Sequence, residues 1–221
     1  MNLHGIGIVL VTFMLTGCVA NWTPTPAITG SNVSLTQSRK VEEFNQINID
    51  GIVDVSITIG SPRSVTVTTD DNLINHVRTH KVGDFLEIDT IGSIGTTLGI
   101  QIEIVVPELI TIDHDGVGTL QIVDFQGERL KLIHEGIGDV EVQGTVGRVN
   151  VISDGIGDVI LSRLTAREAI IENNGIGDVT VHAYELVDAK LDGIGDITIL
   201  GLPTKLLTED DGIGDIIQRG E

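Results

Sequence analysis

Leu130-Lys131-Leu132-Ile133-His134-Glu135-Gly136-Ile137-Gly138-Asp139-Val140-Glu141-Val142 is the stretch on which the fold turns. Apolar and polar residues alternate on both sides of a Gly-Ile-Gly-Asp tetrad. Alternation of period two is the mark of strands, not helices. The glycines allow positive φ, or close approach of another backbone, at a corner between two strands. The tetrad recurs from Gly155, Gly175, Gly193 and Gly212, at intervals of 19, 20, 18 and 19 residues. A variant, Gly116-Val117-Gly118-Thr119, stands 20 residues before the first. Six units therefore run from about Glu108 to the end of the sequence.

The flanks repeat as well. Leu130 and Leu132, Val149 and Val151, Ala169 and Ile171, and Val187 and Ala189 precede the corners. Val140 and Val142, Val159 and Leu161, Val179 and Val181, and Ile197 and Ile199 follow them. Two short strands and one corner make a coil, and coils stack about 4.8 Å apart, so six give a column of about 29 Å. Ile137, Ile156, Ile176, Ile194 and Ile213 then stack as an aliphatic ladder. An antiparallel meander with hairpins at the glycines is the competing arrangement. Recurrence of one corner type at 18 to 20 residues favours an all-β parallel solenoid.

Composition agrees. Apolar residues make up 41% of the 221 residues but aromatics only 3%, so Ile, Val and Leu must fill a narrow core. Thirteen basic against 32 acidic residues leave a formal charge of -19. Nucleic acid is excluded as a partner, because its affinity comes from Lys and Arg neutralising phosphates. Anionic headgroups are disfavoured as a docking surface for the same reason.

The acids fall into columns. Asp115, Glu135, Asp154, Asn174, Asp192 and Asp211 stand just before the corners, and Thr119, Asp139, Asp158, Asp178, Asp196 and Asp215 just after them. Strand parity points both sets outward. Like charges about 4.8 Å apart repel by roughly 0.9 kcal/mol even at the dielectric constant of water. Backbone N–H groups of the glycine corner are one offset, as in Asx turns. Calcium is the other, with Asp139, Asp158, Asp178, Asp196 and Asp215, joined by Asp154 and Asp192, as candidate ligands. His114 and His134 share a place in adjacent coils, two residues before the corner glycine. The same column holds Ser153, Asn173, Leu191 and Asp210, which suits a half-buried rim better than a metal site.

No nucleophile motif, phosphate loop or helix-opening dinucleotide motif occurs. The turns are too short for the cleft that a carboxylate pair needs in a glycosidase. A non-catalytic protein is expected.

The N-terminal part reads as an address. Ile6 to Leu15 is apolar but too short to cross a bilayer, and fits a signal-peptide core. It runs into Leu15-Thr16-Gly17-Cys18, which resembles the bacterial lipobox. That resemblance implies a signal peptide over 1–17 and a membrane anchor by lipidation of Cys18, the single cysteine. Several acyl chains give stable anchoring where one does not. Val19 after the cysteine points, by the sorting pattern of such lipoproteins, to the outer membrane. Residues 18–40, with Pro24, Pro26 and Gly30, are expected to be a tether, leaving 41–221 as the solenoid.

One resemblance is specific. Phe44, Ile47, Ile49-Asp50-Gly51-Ile52-Val53-Asp54-Val55, Ile57 and Ile59, then Val65, Val67, Leu73-Ile74 and Phe85-Leu86-Glu87-Ile88, resemble the opening of the GIN-domain family of adhesin-like envelope proteins. The Gly-Ile-Gly-Asp corners are similar to that family's Gly-small-Gly-Asp corners. The resemblance implies a right-handed parallel β-helix, less regular from Val41 to Val106, on an envelope lipoprotein; a surface adhesion module for a glycan or protein ligand is the expected role, with a self-associating structural protein or a polysaccharide-active enzyme as alternatives. The final coil, ending Asp215-Ile216-Ile217-Gln218-Arg219, carries no evident cap, so end-to-end self-association is a further expectation.

Overall fold

The computed structural model describes residues 27–220. It is a β-solenoid. The isolated bridges Ile52–Val117–Ile137–Ile156–Ile176–Ile194–Ile213 are all parallel and join seven corners into one ladder. Five of its steps are successive turns of the chain, between Val117 and Ile213. The meander is thereby excluded.

Each regular turn has two inward-facing segments. After the corner, Val140, Val159, Val179 and Ile197 lie in register, continued downward by Leu120 and Val55 and upward by Ile216. Before the corner, Ile112, Leu132, Val151, Ile171 and Ala189 stack likewise, with Ile47 and Leu86 beneath. Nearly all of these are fully buried aliphatics. On the side away from the Gly-Ile-Gly corner the chain bends without leaving the strand, so Leu120–His134, Val140–Ser153, Val159–Asn173 and Val179–Leu191 are single long strands with register shifts at the bend. Phe125 fills the interior there, where the aligned residue of the next coil is Gly144.

The two corner glycines serve different needs. A Cβ on Gly136 would lie 2.1 Å from the carbonyl oxygen of Gly116 in the coil below. Gly138 meets the same obstacle against Gly118, at 2.0 Å, and also has φ +133°. One glycine permits close stacking, and the other supplies the turn as well.

The first part is less regular, as expected, but not purely parallel. Ser64–Asp70 runs antiparallel to Ser34–Arg39 on one side and to Gln101–Val106 on the other. Val77–Val82 and Phe85–Thr90 form an antiparallel pair, and the latter feeds the parallel stack beside Gln46–Asp50.

The expected tether over 18–40 is corrected in its second half. Ile28–Thr29 pairs with Ile94–Gly95, and Ser34–Arg39 is a strand. Buried Asp70 draws this segment in. Its carboxylate accepts the Asn32 N–H at 2.6 Å and the Thr96 hydroxyl at 2.5 Å, and Gly30 packs where any Cβ would strike it. The folded unit thus begins before Val41. Cys18 and the apolar run before it lie outside the described residues.

Lys205–Asp210 and Ile216–Arg219 form the last coil, and the register puts Thr208 over Ala189, Asp210 over Leu191 and Gln218 over Ile199. Thr208 and Gln218 thus end columns that are aliphatic below, Asp210 ends the mixed column of His114, His134, Ser153, Asn173 and Leu191, and Leu206 and Ile216 end theirs as aliphatics over Val187 and Ile197. The last coil is therefore only partly polar, and Leu206 and Leu207 remain partly exposed.

Candidate functional site

The Gly-Ile-Gly corner is the chemically distinctive edge of the molecule. Its ladder residues project outward, from 42% exposed at Val117 to 69% at Ile213. The sequence discloses five isoleucines and Val117, while Ile52 is a seventh member hidden in Gly51-Ile52-Val53-Asp54, which lacks the second glycine. Its signal was the aspartate two places after the isoleucine.

The acids that follow the corners form a hydrogen-bonded ladder. The Asp139 Oδ1 accepts the Asp158 N–H at 3.0 Å, Asp158 accepts from Asp178 at 2.8 Å, Asp178 from Asp196 at 2.8 Å, and Asp196 from Asp215 at 2.9 Å. Asp54 begins it, accepting both the N–H and the hydroxyl of Thr119 at 2.9 Å. The offset to charge repulsion is not the local glycine-corner bond expected from the sequence but one between coils: each of these carboxylates holds the main-chain amide of the residue above it. A hydrogen bond to a charged acceptor is worth roughly 1.5–3 kcal/mol net, more than the roughly 0.9 kcal/mol of repulsion at water's dielectric constant.

The second column is looser. Asn174 donates to Asp154 at 2.6 Å, and Lys190 pairs with Asp192 at 2.7 Å. Of the calcium candidates, Asp139, Asp158, Asp178, Asp196 and Asp215 line one side of the ridge, and Asp154 and Asp192 the other, with the isoleucines between. Among the described residues, no three His, Cys, Asp or Glu side chains gather as metal ligands would. Nearby Asp113 has its pKa raised, first by burial and then by Glu135 and Asp115.

Arg148 pairs with Glu168 and Arg167 with Glu185 toward the opposite bend, and Arg163 reaches Glu141 on the strand after the corner. Near the ridge, Arg78 is engaged by Asp89 at 2.5 Å, in a shallow depression that also touches Asp50, Ile52 and Asp115.

The histidine column is not a half-buried rim. His114 and His134 are fully buried, stacked with ring centroids 5.2 Å apart, and their Nδ1 atoms are 3.1 Å apart. One Nδ1 must therefore donate and the other accept. Both Nε2 atoms are buried without a hydrogen-bond partner. Burial, then the neighbouring His134, pushes the His114 pKa down to about 4, and burial lowers that of His134. Unbroken alternation through Leu130, Leu132 and His134, and through Ile112 and His114, points this column inward; only the polarity of its members had argued for a rim. Ser153, Asn173 and Leu191 in the same column are buried too.

A stack of like turns with one continuous, chemically uniform edge defines a solenoid scaffold, a class that typically presents extended surfaces. The chain belongs to the family described as putative auto-transporter adhesin, head GIN domain, whose sequence profile matches residues 43–203. A crystal structure of a putative adhesin from Bacteroides fragilis is similar over 87% of this chain and all of that one, with TM-score 0.75 and 23% identity. A putative adhesin from Parabacteroides merdae is similar over 87% of this chain and all of that one, with TM-score 0.54 and 13% identity. A putative lipid binding protein from Parabacteroides distasonis matches over the same shares, with TM-score 0.51 and 19% identity. At these identities the likeness is one of fold. No curated protein matches in sequence. Family membership makes this an adhesin-like protein of the bacterial cell surface or envelope.

Proposed function

We propose that the protein is a non-catalytic adhesion module of the bacterial envelope, carried on a lipid anchor at Cys18 in the outer membrane and binding a glycan or protein ligand through the solenoid. The observation that carries this reading is the uniform exposed edge repeated over seven corners. A repeated edge offers many equivalent weak contacts, which suits avidity rather than chemistry at one point. The depressions on the described surface are open and shallow, unlike the closed clefts in which a carboxylate acquires a raised pKa.

The anchor is tested by growing cells with an alkyne-bearing fatty acid. Wild-type protein takes the label and sediments with membranes, whereas Cys18→Ala takes none and appears in the soluble fraction. Equal labelling of the two removes the anchor from the account. Adhesion is tested with beads coated with the protein on bacterial and host-cell surfaces. Retention no greater than that of albumin-coated beads argues against an adhesive role.

A further inference from the structure

We infer that the Gly-Ile-Gly ridge is a docking surface for a cationic amphipathic helix, an inference that rests on the interaction-module reading. The ridge is apolar, continuous and exposed at Ile52, Val117, Ile137, Ile156, Ile176, Ile194 and Ile213. Contiguous exposed apolar surface rimmed by polar groups marks an interaction site. The solenoid stacking that creates this ridge also sets its length, about 29 Å over six steps.

The rim selects the partner's charge. Every corner carries a carboxylate on at least one side, Asp54 and Asp50 at the first, Asp215 and Asp211 at the last. The post-corner carboxylates are hydrogen-bonded to amides, which leaves their charge in place. A partner must therefore bring an apolar stripe with basic side chains on both flanks. Fully desolvated acid without a cation would oppose docking.

Spacing selects the partner's conformation. A helix returns a side chain to the same face about every 5.4 Å, close to the roughly 4.8 Å rise of the ridge. An extended strand does so only about every 6.7 Å. A helix of about 20 residues covers the ridge. A second copy of this chain brings acid against acid, and an anionic membrane surface is repelled likewise.

Three synthetic peptides of about 20 residues test this. One is a Leu/Lys helix with a leucine stripe flanked by lysines. The second has the same composition in an order that scatters the leucines. The third replaces each Lys by Glu. The expected order of affinity is stripe over scattered by about tenfold or more, with the Glu peptide unbound. Combined Ile137→Ser, Ile156→Ser and Ile176→Ser removes the preference for the stripe but keeps the weak, salt-sensitive binding of both Lys peptides. Ile→Leu at the same positions retains the preference. Should the Ser variant not fold, Ile156→Lys serves, and is expected to weaken the stripe peptide more than the scattered one. Equal affinity for the two Lys peptides, binding of the Glu peptide, or an unchanged preference in the Ser variant overturns the inference. None of these bears on acylation of Cys18, so the envelope reading survives such a failure and is lost only by its own tests.

Discussion

Gly157→Ala is the sharpest perturbation of the stacked corner. Gly157 has φ +141°, and a Cβ placed on it would lie 2.2 Å from the carbonyl oxygen of Gly138 and 2.6 Å from its carbon. Those atoms are backbone, fixed by the Gly138 N–H bond to the Ile156 carbonyl at 2.9 Å. Two costs add. A residue other than glycine in this region of φ costs about 1–3 kcal/mol. Forcing a methyl into a packed site costs about 1–3 kcal/mol more. The sum, roughly 4 kcal/mol at mid-range, is a large share of the 5–15 kcal/mol typical of a domain. At about 2–4 °C per kcal/mol for a chain of this size, the melting temperature falls by roughly 8–16 °C. Gly83→Ala is the control: φ is +62°, yet nothing lies within 4 Å of its Cβ. It should cost only the conformational part. The assay is thermal and urea unfolding of purified protein followed by circular dichroism at 218 nm or thereabouts, in the strand band. Equal losses for the two variants would mean that the corners are not in backbone contact, and the stacking argument would be refuted.

Four other outcomes follow from the same geometry. Asp178→Asn keeps an acceptor for the Asp196 N–H and should unfold within about 0.5 kcal/mol of wild type, whereas Asp178→Ala should cost about 1 kcal/mol or more in urea. His114 and His134 are neutral when folded, their pKa values lowered from the ordinary 6.5 by burial, so the unfolded chain binds protons first. Their contribution is complete above pH 6.5 and is lost as the pH falls toward about 4, where His114 titrates in the fold. Paired His114→Leu and His134→Leu should flatten the fall in melting temperature between pH 7 and pH 4.5, with Leu191 showing that the column accepts leucine. Millimolar calcium should leave the melting temperature where chelator leaves it at equal ionic strength, because the aspartate ladder is already satisfied by amides. Thr208→Val with Asp210→Leu and Gln218→Ile should associate more than wild type in light scattering, because the last coil then loses the polar side chains that stand over Ala189, Leu191 and Ile199.

The solenoid was legible because period two, glycine pairs and a near-constant interval all point the same way from Glu108 onward. Agreement between local and global signals is what makes such a reading possible. The corner of Ile52 was harder to see, since Val53 stands where later corners have glycine and 65 residues separate it from Val117. Residues 28–39 were misread because their strands are short, polar on the outside and paired with partners far along the chain. Asp70, the buried group that anchors them, has no local sequence mark. The histidines failed for a different reason. Alternation itself places His114 and His134 on the face of Ile112 and Leu132; the polar members of the column argued for a rim instead, and the stack buries them. The last coil needed register: Thr208, Asp210 and Gln218 are polar residues in an ordinary polar tail until they are placed over Ala189, Leu191 and Ile199.

The central claim is that successive corners stack directly in a parallel ladder, and paired cysteines test it in a Cys18→Ser background. Ile137→Cys with Ile156→Cys places the thiols on adjacent rungs, about 4.8 Å apart along the stack and within the 4.4–6.8 Å Cα range of a disulfide. Ile137→Cys with Ile176→Cys places them two rungs apart, at about 9.6 Å. The account predicts rapid intramolecular oxidation of the first pair and none of the second. A meander would put consecutive corners at opposite ends of the sheet, so failure of the 137–156 pair to close would contradict the parallel solenoid.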